Sequence, residues 1–61
     1  MKNVLKDLRT ERGWSQSEIS EKLGISRQSV HAIESGKSDP SLALAFRIAS
    51  LFKLSVEQIF D

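Results

Sequence analysis

Between Arg27 and Ala32 every side chain except Val30 is polar or small: Arg27, Gln28, Ser29, His31 and Ala32. Arginine can bond guanine O6 and N7 together, and glutamine can do the same with adenine N6 and N7. A serine hydroxyl suits a base or a phosphate, and an alanine methyl can meet a thymine methyl. These are the residue types that read base edges in duplex DNA. The same histidine, alone and with no cysteine in the chain, cannot assemble a metal centre. No Ser/His/Asp constellation at helical spacing and no phosphate loop points to an enzyme.

Such side chains read a groove only if one element presents them on one face. Residues Gln16 to Lys37 carry two short helical patterns separated by a few residues around Gly24. Ile19 and Leu23 lie four apart, Val30 and Ile33 three apart, so each segment has one narrow apolar stripe. Two stripes so close in sequence must share a core, leaving the Arg27, Gln28, Ser29, His31 and Ala32 face outward. Gly24 can take the positive φ that ends a helix, Ile25 supplies an apolar plug, and Ser26 can cap the next helix. The spacing predicts a helix-turn-helix.

The remaining elements follow from the same signals. A first helix is expected from about Asn3 to Arg12, with Val4, Leu5 and Leu8 inward and Gly13 ending it. Ser15 and Glu18 form a Ser-x-x-Glu capping box that opens helix two, which ends at Gly24. Helix three runs from Ser26 to about Ser35 and is closed by Gly36. After a polar link from Lys37 to Pro40, Pro40 and Ser41 open a fourth helix, expected from about Leu42 to Phe52, and Ser55 caps a short fifth through Val56, Ile59 and Phe60. Leu42, Ala45, Ile48, Ala49 and Phe52 follow one face of helix four, yet Leu44, Phe46 and Leu51 lie off it. A helix apolar almost all round is either central or faces a partner.

Sixty-one residues, 39% of them apolar, make one all-α domain of five helices, near the size limit for a core without staples. No signal-peptide run and no stretch of about 20 apolar residues occurs, so a soluble, cytoplasmic protein without membrane association is expected. Nine basic and eight acidic side chains leave a net charge of +1. That falls short of the strongly basic balance of nonspecific nucleic-acid binders, so charge alone argues only weakly for DNA.

The spaced positions Arg9, Arg12-Gly13-Trp14-Ser15-Gln16, Ile19, Leu23-Gly24-Ile25-Ser26, Val30, Ile33-Glu34, Gly36-Lys37, Pro40, Leu42, Leu54-Ser55-Val56 and Ile59-Phe60 resemble the xenobiotic-response-element type of helix-turn-helix regulator, the group of the phage repressors and Cro. The resemblance covers nearly the whole chain and implies a compact lambda-repressor-like bundle whose second motif helix enters the major groove. By that likeness Gln16 binds a phosphate and braces the recognition helix. Arg27 and Gln28 contact bases, followed by Ser29, His31 and Ala32, and phosphates are met by Ser26, Ser35 and Lys37 as well as Gln16. For Arg27 a phosphate contact, and for His31 a solvated or backbone-contacting role, stay open beside base contact. Arg9 and Glu34 match a structural ion pair between helix one and the end of helix three.

The chain departs from the family pattern at three places. Ser20 replaces a common alanine and its hydroxyl needs a backbone partner. Trp14 replaces a smaller aliphatic residue and should bury most of its ring between helices one and two, and Lys53 stands where a glycine often ends helix four. The resemblance implies a sequence-specific regulator of double-stranded DNA, a repressor acting as a homodimer on a palindromic operator without cofactor or small-molecule effector domain. Leu44, Leu51, Leu54, Val56 and Phe60 are the candidate dimer residues. The competing expectations are a protein-interaction module using the helix four and five surface, and the antitoxin of a toxin-antitoxin pair.

Overall fold

Ser15, Ser26, Ser41 and Ser55 each precede a helix in extended backbone, and each hydroxyl accepts the N–H three residues on, at 3.0, 3.1, 3.1 and 3.2 Å. Each cap satisfies one orphan amide, so four helix starts are specified locally. In the computed structural model, which describes residues 1–61, the elements are α1 (Leu5–Glu11), α2 (Gln16–Leu23), α3 (Arg27–Glu34), α4 (Leu42–Phe52) and α5 (Val56–Ile59). The chain is all-helical, with one isolated antiparallel bridge between Asn3 and Phe60. No helix is long and apolar enough to cross a membrane.

Gly24 takes φ +70° at the end of α2, and a Cβ there would also lie 3.2 Å from the Arg47 guanidinium. That guanidinium donates to the carbonyl of Leu23, tying α4 to the turn of the motif. At the end of α4 the same left-handed cap falls to Lys53, with φ 56° and ψ 42°. A Cβ in that region costs roughly 1–2 kcal/mol, so the corner keeps the glycine geometry at a cost. The Ser20 hydroxyl donates to the carbonyl of Ser17 at 2.6 Å, which lets a polar side chain lie buried on α2.

Leu5, Ile19, Leu23, Val30, Ile33, Ala45, Ile48, Ala49, Phe52, Ile59 and Phe60 form one core. All five helices contribute to it or adjoin it, and α2 is the hinge of the packing because it rests on both α3 and α4. Trp14 is half-buried, but its ring meets Phe52 of α4, with centroids 5.7 Å apart, as well as lying beside α1 and α2. Arg12 and Lys22 lie over the indole at 5.4 and 4.7 Å, shielding its outer faces.

Four expectations are corrected. Helix one begins at Leu5, not Asn3, because Asn3 is held outside it. Its Oδ1 accepts from Leu5 N, and its Nδ2 donates to the carbonyls of Ile33 at 2.8 Å and Met1 at 3.2 Å. Val4 is therefore exposed rather than inward, its backbone N–H engaged by the carbonyl of Ile59. Leu42, assigned to the buried face of helix four, is 70% exposed because the first turn of α4 overhangs the core. Phe60 lies past the end of α5 in extended backbone and is buried, so its ring belongs to the core rather than to an outer face.

Candidate nucleic-acid interface

The apolar stripes of α2 and α3 pack together, turning the opposite faces to solvent. Gln16 at the first turn of α2 and Arg27, Gln28 and His31 of α3 line one open hollow of about 430 Å³ with no apolar side chain in it. Arg27, Gln28, Ser29 and His31 are exposed, and Ala32 is half-buried at the edge of the same face. Arg27, Gln28 and His31, at i, i+1 and i+4, thus share one side of the helix, while Ser29 at i+2 lies round from them beside the Ser26 cap.

The start of α3 is capped by Ser26, whose oxygen accepts from Ser29 N and lies 2.9 Å from the Ser29 hydroxyl. Its end is denser in bonds. Ser35 Oγ donates to the carbonyl of Ala32 at 3.2 Å, and that carbonyl also accepts from the backbone N–H groups of Lys37 and Ser38. This turn places Ser35 and Lys37, both exposed, just beyond the helix. Gly36 sits there at φ +81°, with the Met1 carbonyl 3.3 Å from where its Cβ would be.

Glu34 joins this surface to the core. Arg9 Nε donates to its Oε2 at 2.6 Å and Arg9 Nη2 to its Oε1 at 3.2 Å, while Arg9 Nη1 donates to the carbonyl of Trp14 at 2.8 Å. The fork is bidentate, with side chains only 10% and 4% exposed, and the bonds to Glu34 hold the guanidinium above its ordinary pKa. Gln16 Nε2 also donates to Glu34 Oε1 at 3.1 Å and approaches His31 Nδ1 at 3.5 Å. Arg9, Glu34, Gln16 and His31 are thus one chain of contacts from the core to the hollow. A Gln16 brace on α3 is what the resemblance implies, but its partner Glu34 is not, since nothing in an 18-residue separation specifies it.

The capping box at the start of α2 is complete. Glu18 Oε1 accepts from Ser15 N at 2.9 Å, and this bond, helped by the Ser15 hydroxyl, holds the Glu18 carboxyl below its ordinary range. It holds the backbone entering α2 just before Gln16.

The dimer candidates Leu44, Leu51, Leu54 and Val56 are half-buried along α4 and α5, while Phe60 is buried. Leu42 and Phe46, one turn apart, form a separate apolar pair, 70% and 59% exposed.

Residues 5–59 match the model of the helix-turn-helix family. An HTH-type transcriptional regulator of Methanocaldococcus jannaschii is 52% identical over 60 residues, covering 98% of this chain and 91% of that one. Another from Bacillus subtilis is 45% identical with the same coverage of both. Among solved structures, the biofilm master regulator SinR in complex with DNA superposes with TM-score 0.80 at 29% identity, covering 93% of this chain and 92% of that chain. The restriction-modification controller C.AhdI of Aeromonas hydrophila gives TM-score 0.78 at 28% identity, covering 88% and 82%. With the serine-capped motif helices, the polar face of α3 and these likenesses together, the chain belongs to the Cro/C1-type helix-turn-helix family of DNA-binding transcription regulators, and not to a family of enzymes.

Proposed function

We propose that this regulator binds a palindromic operator in double-stranded DNA as a homodimer, with α3 in the major groove, and represses by occupying the site. The observation that carries the reading is the hollow lined only by Gln16, Arg27, Gln28 and His31, which brings base-reading and phosphate-binding side chains of two helices onto one face. Arg27 and Gln28 supply the main base contacts, with Ser29, His31 and Ala32 further along. Gln16, Ser26, Ser35 and Lys37 meet phosphates. Ser26 accepts its cap bond through oxygen, so with the Ser29 hydroxyl donating across their 2.9 Å contact the Ser26 hydroxyl hydrogen can go to a phosphate.

The dimensions constrain where two paired copies would meet. Two α3 helices reading successive major-groove faces lie about 34 Å apart. One domain measures at most 24 Å, so the contact between copies lies away from α3. The half-buried Leu44, Leu51, Leu54 and Val56 offer that face, because α4 and α5 pack chiefly on α2 and on each other. A net charge of +1 gives one copy little electrostatic affinity, which pairing multiplies.

Selection of bound duplexes from a random DNA pool, followed by titration at moderate salt, tests the reading. A recovered two-fold site bound by two copies is expected. Recovery of no duplex bound better than random DNA refutes it, and a strictly monomeric protein that binds one-to-one refutes the dimer. A second reading, a partner-binding module, draws on the exposed Leu42 and Phe46 pair and predicts that no duplex is preferred.

A further inference from the structure

The Gln16 side chain has two amide hydrogens and one carbonyl oxygen, and a phosphate, having only acceptors here, can use the hydrogens alone. One hydrogen is committed to Glu34 Oε1 at 3.1 Å. That bond also fixes which way the amide faces, since a flipped amide would aim its oxygen at the carboxylate. Gln16 Nε2 also lies 3.5 Å from His31 Nδ1, within reach of a second, longer bond through its other hydrogen. Neutral imidazole with its lone pair on Nδ1 can accept it, and protonated imidazole cannot.

Resting on the DNA-binding reading above, we infer that His31 is a positioning residue for the Gln16 phosphate contact, competing with DNA for the one Gln16 hydrogen that Glu34 does not hold. Protonation of His31 turns Nδ1 into a donor, releases the amide hydrogen to the phosphate and adds a positive charge beside it. DNA binding and His31 protonation are therefore linked, and affinity rises as pH falls through the range where histidines titrate.

The charged neighbours of His31 do not oppose this sign. Arg27, one turn earlier on α3, lines the same hollow. From α1 comes Arg9, whose charge is matched by Glu34 at the end of α3. From α2 the facing group is Gln16, which does not titrate. Both guanidinium groups stay charged at all pH values of interest.

The test is fluorescence anisotropy with a labelled duplex recovered from the random pool, titrated from about pH 8 to about 5.5 at constant ionic strength. Wild-type affinity should rise with acid, by up to about tenfold for each unit by which bound phosphate favours the imidazolium. His31→Gln should abolish the slope, and Gln16→Ala should leave only the part due to charge. His31 is exposed, and Glu34 keeps both Arg9 bonds without Gln16, so neither removal should unfold the domain, which circular dichroism checks. Nuclear magnetic resonance should show the His31 ring titrating at higher pH in the complex than in the free protein. An unchanged pH slope in His31→Gln, a full slope in Gln16→Ala, or an unmoved ring titration overturns the inference while leaving DNA binding intact. Absence of binding at every pH instead removes the DNA reading on which it rests.

Discussion

The two ends of α3 are built in opposite ways. At its C-terminal end Glu34 accepts from Arg9 twice and from Gln16 once, with its side chain 4% exposed. At its N-terminal end Arg27 and Gln28 are exposed, and a single Ser26 cap closes the turn. A helix anchored at one end and open at the other can present long side chains without losing its place on the domain. Under the proposed function, anchoring and base contact are thereby divided between residues one or two turns apart.

The largest effect should come from the anchored end. Glu34→Ala leaves a nearly buried guanidinium uncompensated, a loss of about 3–5 kcal/mol. A domain of this size has only about 3–9 kcal/mol in all, so the variant should lose from about a third to all of its stability. Urea denaturation measures it, and a loss under about 0.5 kcal/mol would erase the distinction between the two ends.

The open end should behave inversely. Arg27→Ala and Gln28→Ala should each shift stability by less than about 0.5 kcal/mol while costing about 1–3 kcal/mol of discrimination at the base they read. Parallel melting and selection experiments compare the two readouts. An Arg27→Ala, Gln28→Ala double variant that keeps full affinity for the selected duplex would remove these residues from the reading role.

Ser26→Ala probes the boundary between the regions, because one hydroxyl serves both the cap and the proposed phosphate contact. It should cost about 1 kcal/mol of stability, read from chemical denaturation. A drop in duplex affinity beyond the unfolded fraction would separate the second role from the first.

The smallest effect concerns Glu18, whose carboxyl is held below its ordinary range by the Ser15 N–H and hydroxyl. A carboxyl that loses its proton more readily when folded adds stability above its unfolded pKa, and the contribution disappears as pH falls through the lowered folded value. Thermal melts from about pH 5 down to about pH 2 should therefore fall less steeply in Glu18→Gln than in the wild type. Equal slopes would show that the capping box carries no charge dependence.

Much of this was legible before any coordinates. Ser15, Ser26, Ser41 and Ser55 declared their helices, and the Leu42 to Phe52 boundaries of α4 agree with the pattern. Caps and turns act within three or four residues, so their signals stay local. Helix one was read too long because Asn3, a good capping type, is engaged by Leu5 N and by the distant Ile33 carbonyl. Leu42 shows the other weakness: periodicity gives the face of a helix but not where the core beneath it ends.

Residue order alone determined the starts and caps of helices two to five, the motif around Gly24 and the polar set on α3, because each depends on neighbours close along the chain. Tertiary structure alone decided that Gln16 shares its amide between Glu34 and His31, that Phe60 turns inward against the core, and that Trp14 meets Phe52. Those contacts join residues far apart in the chain, and their geometry exists only once five short helices have packed around one core.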